Sequence, residues 1–277
     1  MAISTENRAP CALAGPETRD VGRELVYELV FRAPAAALVR PLARLGVPPP
    51  AVVLANASAG LAAAAALVDG RLLLAAVLLQ LKTLLDNVDG NLARATANVT
   101  LSGRFLDTEA DFVVNAALFA ALATATGSPV LALLAFVVLT AVLTANFQLM
   151  ELNREVAGTA TAPRATGGRV ERALAAVYAV VFAPQDRLAR ALSERRFERL
   201  AAGAPPERRE AAVRAYHNRV TGDVVANLGL STQLLALGVC LALGAPEVYL
   251  WLVLASPAVV LGAQVRRERL ARRTLEP

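Results

Sequence analysis

The chain of 277 residues contains very little of several residue types on which many enzyme sites are built. It has one histidine, His217, and two cysteines, Cys11 and Cys240, which lie far apart in different contexts. A histidine-based metal site is therefore excluded, and neither a disulfide framework nor a cysteine zinc site is expected. Lysine occurs once, as Lys82, so the net charge of +5 comes almost wholly from arginine.

Charged residues as a whole are also scarce, at 18% of the chain, whereas 56% of the residues are hydrophobic. Soluble domains contain nearer a quarter charged residues, so the long alanine, leucine and valine runs indicate a membrane protein. The first thirty residues are polar and lack the apolar stretch of a signal peptide. The N-terminus is therefore expected to stay in the cytoplasm.

Apolar runs of the length that a bilayer core requires occur six times. They lie near 48–68, 71–92, 106–127, 129–150, 221–243 and 246–265. Short breaks with glycine, proline or aspartate separate the paired runs. The predicted fold class is all-α, a polytopic membrane protein with six transmembrane helices.

Arginine is distributed unevenly on the two sides of these spans. The breaks near residues 69, 127 and 244 carry almost no positive charge, whereas the opposite segments hold a dense arginine set between about 154 and 219 and more arginines after residue 265. Because positively charged loops stay in the cytoplasm, both termini are expected there. The expected location is the cell (inner) membrane.

Four regions follow from this layout. Residues 1–47 are predicted to be a cytoplasmic leader with an amphipathic interfacial helix, and 48–265 the transmembrane domain with a cytoplasmic helical insertion at about 153–217. Residues 266–277 form a basic tail. Within the insertion, 168–202 is amphipathic and rich in arginine. It is either an interfacial helix on anionic lipid or a cytoplasmic hairpin packed on itself or on a partner subunit.

Four aspartates lie close together where the second predicted span ends and the third begins. Asp86 and Asp89 share one face of a helix, and Asp107 and Asp111 share a face of the next. A polar loop between the helices allows the two faces to converge into a cytoplasmic cleft. Four carboxylates repel one another unless a cation lies among them, and oxygen ligands suit a hard ion such as magnesium. The alternative is that the acids are solvated at a helix end and paired with Lys82 or nearby arginines.

Small residues and an arginine lie between these acids. Gly90 and Ala93 leave room for a bulky ligand beside the helix, and Arg94 offers a planar fork suited to a phosphate. Such a combination favours a phosphorylated ligand over a proton or ion path. A small membrane transporter or ion relay is nevertheless an alternative, because ionisable groups at membrane depth also mark ion pathways.

The pattern D-x2-D-G-x2-A-R-x8-G-x3-D-x3-D runs from residue 86 to residue 111 with every fixed position filled. It resembles the motif of the CDP-alcohol phosphatidyltransferase family of integral membrane enzymes, and the likeness covers roughly residues 35–265. The resemblance implies transfer of a phosphatidyl or phospho-alcohol group from a CDP-alcohol to a second alcohol in phospholipid biosynthesis, with release of CMP. It also implies a divalent cofactor, Mg²⁺ or Mn²⁺, with two ions expected, and a homodimer.

The same resemblance assigns roles to individual residues. The implied metal ligands are Asp86, Asp89, Asp107 and Asp111. The implied CDP-binding residues are Gly90, Ala93, Arg94 and Gly103. Asp111 is in addition the implied base that deprotonates the acceptor hydroxyl.

Several points of substrate recognition stay open. Many family members begin the first span with a Pro-Asn-x-(Val/Ile)-Thr-like segment, which this chain lacks; Asn56 is a substitute for it or a polar contact between helices. The donor is CDP-diacylglycerol or a soluble CDP-polar alcohol. A phosphorylated acceptor would need more cationic groups, for which the candidates are Arg104, Arg154, Arg164 and Arg219. No nucleic-acid partner is expected, and a catalytically inactive scaffold is a further alternative.

Overall fold

The computed structural model describes residues 22–160 and 162–276, and over these residues it is built from helices with no strand. A π-helical turn, Tyr27–Phe31, leads into the first α-helix. The α-helices are α1 (Arg32–Arg44), α2 (Pro49–Val68), α3 (Leu72–Ala95), α4 (Leu101–Thr126), α5 (Pro129–Ala157), α6 (Arg169–Val181), α7 (Ala183–Leu200), α8 (Pro206–Tyr216), α9 (Arg219–Ala226), α10 (Leu230–Ala242) and α11 (Pro246–Leu275). The predicted all-α class is confirmed.

Proline and glycine set the ends of the long apolar helices. Helices α2, α5 and α11 begin with proline at the first turn, where the missing backbone N–H is not needed. Helices α4 and α5 end at Gly127 and Gly158, whose φ angles of 65° and 69° stop the helix in the left-handed region. The polar breaks seen in the sequence are therefore true helix ends.

Helix α2 lies at the centre of the bundle, where it packs closely on both α3 and α4, and α10 packs on α3. Small and aliphatic side chains fill the core between them, including Ala63, Leu79, Leu118 and Leu234. Many large apolar side chains point outward instead, among them Leu73, Val77, Leu133, Val137 and Trp251. A water-soluble surface does not carry so much exposed apolar area, so the bundle is that of a membrane protein.

The predicted count of six spans is not confirmed. Within the described residues, four segments are long and apolar enough to cross a membrane: Pro49–Val68, Pro129–Ala157, Pro206–Ala242 and Pro246–Leu275. The predicted spans 71–92 and 106–127 coincide with α3 and α4, which are not among the four because polar and charged residues interrupt them. The four apolar segments nevertheless agree with a helical protein that crosses the membrane several times.

The predicted span 221–243 is not one continuous helix. It is divided into α9, which ends at Ala226, and α10, which begins at Leu230, and Asn227 lies in the break between them. The Asn227 amide donates a 2.9 Å hydrogen bond to the carbonyl of Arg23, and its Oδ1 accepts one of 2.9 Å from the backbone N–H of Leu25. Gly22 lies directly on the backbone of Gly222, where a side chain would collide. The N-terminal segment is thus fastened to the break between α9 and α10.

The insertion between α5 and α8 forms two helices on the flank of the bundle. Helix α6 packs on α4, and α7 packs on α5. Their outer surfaces expose Val177, Val180, Leu188 and Leu192 between arginines. The amphipathic character expected for 168–202 is clear in α6 and weak in α7, and contact of this region with lipid or with a partner subunit stays a prediction.

Candidate active site

The polar loop between α3 and α4 turns the chain so that the acidic ends of the two helices come close together. Thr100 begins α4 as its N-cap, with its hydroxyl oxygen accepting a 3.1 Å hydrogen bond from the backbone N–H of Gly103. A short backbone bridge joins Thr100 to Arg164, whose carbonyl accepts from Leu101 N–H at 2.9 Å. The insertion therefore supports the loop from outside.

Three of the four motif aspartates come together in this arrangement. One carboxylate oxygen from each of Asp86, Asp89 and Asp107 can be chosen so that all three lie within 4.8 Å of one another. Asp86 and Asp89 come from α3 and Asp107 from α4, as the expected convergence of the two helical faces requires. We call this group the carboxylate triad.

The oxygens of the triad fit a divalent cation. Asp89 is only 6% exposed, and among the described residues its Oδ2 and the buried Oδ1 of Asp107 have no hydrogen-bond partner. Buried carboxylate oxygens without a donor are costly unless a cation compensates them. Carboxylate oxygens alone are the ligands that Mg²⁺ and Mn²⁺ accept. The triad is therefore suited to hold such an ion.

Asp86 is also fixed by a neighbour from α2. The side-chain amide of Asn56 donates a 2.9 Å hydrogen bond to Asp86 Oδ1, and Asn56 is 1% exposed. Asn56 therefore makes the polar contact between helices that one of its two interpretations predicts, and its role as a substitute for the family's segment stays a prediction. The contact also has a consequence for the site, because it orients one member of the triad.

Asp111, the last motif aspartate, has a different partner. Its Oδ1 lies 2.7 Å from the Nζ of Lys82, and the same Nζ lies 3.6 Å from Asp86 Oδ1. Lys82 is fully buried. Pairing with lysine therefore holds for Asp111 and in part for Asp86. No described arginine forms an ion pair with Asp89 or Asp107.

The guanidinium of Arg94 folds back over its own helix. Its Nη2 donates a 2.9 Å hydrogen bond to Asn91 Oδ1, and both its terminal nitrogens would lie 3.6 Å from a Cβ built on Gly90. The side-chain amide of Asn91 in turn contacts the hydroxyl of Tyr27 at 3.3 Å. A phosphate beside Gly90 could thus meet a guanidinium held in place by its neighbours. Ala93 lies on the same helix, and Gly103 lies in the first turn of α4.

The N-terminal segment is a part of the site that sequence reasoning missed. Glu24 Oε1 accepts hydrogen bonds from the backbone N–H and the hydroxyl of Thr232, at 3.2 and 3.3 Å, and so caps α10. Burial raises the pKa of the Glu24 carboxyl, and the negative charge of Asp86 adds to the effect, against the lowering by its hydrogen bonds. Glu24 and Tyr27 precede the motif by some sixty residues, and no local pattern links the two.

The four arginines considered for an acceptor phosphate have varied surroundings. Arg154 pairs with Glu151 at 3.3 Å, and Arg219 pairs with Asp223 at 3.9 Å. The guanidinium of Arg104 stacks on Phe147 at 4.9 Å from the ring centre. Arg164 is held beside the α3–α4 loop through its backbone. Binding of a phosphorylated acceptor by any of these arginines stays a prediction.

Comparison with known proteins agrees with this geometry. The family model described as CDP-alcohol phosphatidyltransferase matches residues 47–196, which is more than half of the chain and includes the whole motif. No curated protein and no solved structure gives a significant match.

Proposed function

Because the chain belongs to the CDP-alcohol phosphatidyltransferase family, we propose that it moves a phosphatidyl group from a CDP-alcohol such as CDP-diacylglycerol to a second alcohol in phospholipid biosynthesis. Family membership supports the general transfer of a phosphate-alcohol group. The observation that carries the proposal is the convergence of Asp86, Asp89 and Asp107 with unpartnered buried oxygens. The apolar helices around this site favour a donor with a lipid tail.

In the proposed reaction the acceptor hydroxyl oxygen forms a new bond to the phosphorus of the alcohol-side phosphate. The bond from that phosphorus to the bridging oxygen breaks, and CMP leaves with the electron pair. Asp111 accepts the hydroxyl proton. Lys82 binds Oδ1 of Asp111, and the other oxygen, Oδ2, is proposed to take the proton.

Asp86, Asp89 and Asp107 are proposed to hold Mg²⁺ or Mn²⁺. When bound, such an ion neutralises charge on the diphosphate and steadies the departing CMP. The protein keeps the ligands in place through Asn56, which binds Asp86 from the adjacent helix. Fixed ligands lower the cost of reorganisation during the reaction.

The nucleotide end of the donor is proposed to bind along the C-terminal part of α3. Arg94 would pair with a phosphate oxygen, and Gly90 and Ala93 would let the phosphate approach the helix. Gly103 would present the first turn of α4 to the same ligand. The helix N-terminus there favours a negative charge.

The remaining features of the proposal concern the setting of the enzyme. The arginine distribution supports a site and termini on the cytoplasmic side of the cell membrane. The exposed apolar and arginine-rich surface of α6 and α7 supports contact with anionic lipid. A homodimer is proposed from the family resemblance.

The direct test is the release of CMP by the purified protein in lipid nanodiscs. The assay would combine CDP-diacylglycerol with Mg²⁺ or Mn²⁺ and a panel of acceptors, including glycerol phosphate, inositol phosphate and serine. Release that depends on an acceptor and is lost in Asp107→Asn is the expected result. Release only with a soluble CDP-alcohol would replace the lipid donor, and no release with any combination would contradict the enzyme function.

A further inference from the structure

The single lysine of the chain occupies a position where a cation of the active site is expected. The Lys82 Nζ lies 2.7 Å from Asp111 Oδ1 and 3.6 Å from Asp86 Oδ1, so the ammonium bridges an aspartate of α4 and one of α3. Four clustered carboxylates would be neutralised by two divalent ions. Between Asp86 and Asp111, the Lys82 ammonium already supplies a positive charge.

Packing around the Lys82 side chain restricts movement of its ammonium away from the aspartates. Lys82 is 0% exposed, and a Cβ built on Gly60 of α2 would lie 3.3 Å from its Cδ and would collide with Val114 of α4. The stem of Lys82 therefore lies against α2, and its ammonium is held at Asp111 of α4. Moving the ammonium out of the site would require these packed helices to separate.

The other side of the same cluster differs from this one. Among the described residues, Asp89 and Asp107 each have a buried oxygen without a partner, whereas the lysine contacts Asp86 and Asp111. The cluster is thus divided into a part with unpartnered oxygens and a part that contains the ammonium. Asp86 is shared by the two parts.

We propose that the Lys82 ammonium takes the place of a second divalent ion, so that the chain binds one metal ion, at Asp86, Asp89 and Asp107. This inference rests on the proposed function, because that function requires a bound metal ion. The number of ions is argued from the position of Lys82 alone. A second ion beside Asp86 and Asp111 would be repelled by the ammonium at short range. Asp111 is in this arrangement held by lysine instead of by metal, and Lys82 acts as a positioning residue for it.

The test is the number of Mn²⁺ ions bound per chain, measured by equilibrium dialysis with metal analysis and by electron paramagnetic resonance. Wild-type protein in nanodiscs would be titrated with Mn²⁺ alone and with Mn²⁺ and CMP. The expected result is one ion per chain, without the spin coupling of two adjacent Mn²⁺ ions. In Lys82→Met, which keeps the length of the side chain but removes its charge, two ions with coupled spins are expected.

The matched control is Arg71→Met, which removes an exposed positive charge between α2 and α3, away from the aspartates. It should bind one ion like the wild type. Two ions in the wild type, with or without CMP, would overturn the inference, and so would one ion in both the wild type and Lys82→Met. If Lys82→Met does not fold, Lys82→Gln is the second variant. The number of Mn²⁺ ions bound by the wild type tests the inference without either variant.

The outcomes separate this inference from the proposed function. One bound ion in the wild type without CMP release from any CDP-alcohol would contradict the proposed reaction and support the role of Lys82. CMP release by a wild-type protein that binds two ions would support the proposed reaction and contradict the role of Lys82. Absence of any bound Mn²⁺ would overturn the inference and the metal-dependent reaction together.

Discussion

Asn56 and Asp86 are joined by a 2.9 Å hydrogen bond that connects α2 to the first aspartate of the active site. Asn56 is buried, so this bond is shielded from competing water. The amide donates to Oδ1, the same oxygen that faces Lys82. Asp86 is therefore held from two directions, and its orientation depends on residues outside the motif.

Asn56→Ala should weaken metal binding without unfolding the protein. Removing a residue that orients a metal ligand commonly lowers metal affinity about 10- to 100-fold. The measurement is a Mn²⁺ titration followed by electron paramagnetic resonance. Ser58→Ala is the control, because Ser58 is exposed on the same helix and, within the part of the chain that the structure describes, its hydroxyl bonds only to the carbonyl of Leu54. Equal Mn²⁺ affinity in Asn56→Ala and the wild type would contradict the orienting role.

Gly90→Ala should leave the fold intact and impair binding of the CDP-alcohol. The three atoms nearest to an added Cβ would belong to the guanidinium of Arg94, at ordinary contact distances of 3.6 Å and above, so the protein itself has room for it. Alanine in place of glycine within a helix stabilises by up to about 1 kcal/mol. The methyl group would instead occupy space proposed for the phosphate, and KM should rise by about tenfold or more.

The two effects of Gly90→Ala are measured by thermal unfolding and by CMP release against donor concentration. Gly262→Ala is the matched control, since Gly262 also lies in a helix and a Cβ there meets nothing within 4 Å. It should gain stability with unchanged KM. An unchanged KM in Gly90→Ala would remove Gly90 from the donor site.

Asp111→Asn should lose turnover while the protein still folds. Asparagine can keep the hydrogen bond from Lys82 through its carbonyl oxygen, and Asp86 still faces the ammonium. The amide cannot accept the acceptor's proton, so kcat should fall by about 10²- to 10⁴-fold. CMP release and thermal unfolding would be measured together, with the exposed Asp69→Asn as control. Turnover at the wild-type rate in Asp111→Asn would exclude Asp111 as the base.

Glu24→Gln should stabilise the protein at neutral and higher pH. Because the pKa of Glu24 is raised in the folded state, the stability that its protonated form contributes is present below the unfolded pKa of about 4.5 and is lost as the pH rises through the folded pKa. Glutamine stays neutral and can still accept the hydrogen bonds from Thr232. The gain should therefore be small near pH 4.5 and larger at pH 8.

The measurement for Glu24→Gln is the difference in unfolding temperature from the wild type at both pH values. Glu207→Gln, which removes an exposed carboxylate from α8, controls for the change in net charge. A gain that is the same at pH 4.5 and pH 8 would contradict the raised pKa. A loss of stability at both values would show that the charge of Glu24 is needed to cap α10.

The helices and the motif could be predicted because both depend on local patterns. Long apolar runs and their prolines mark closely where α2, α5 and α11 begin and where α2 ends, whereas α5 and α11 continue beyond the predicted ends at residues 150 and 265 to Ala157 and Leu275. The break after Ala226 was not predicted from the apolar run, and Asn227 in this break contacts Arg23 and Leu25, some two hundred residues earlier. An apolar run shows that a segment can be helical, and it does not show which distant segment that helix contacts.

The arrangement of the acidic site likewise depends partly on local spacing and partly on packing between helices. Spacing along the chain determined that Asp86 and Asp89 share a face of α3 and that Asp107 and Asp111 share a face of α4, since helical periodicity alone places them there. Only the tertiary structure decided that Asp107 joins the first two while Asp111 pairs with Lys82. The reason is that distances between side chains of different helices depend on how those helices pack, here through Gly60 and Val114, and no spacing within one helix specifies them.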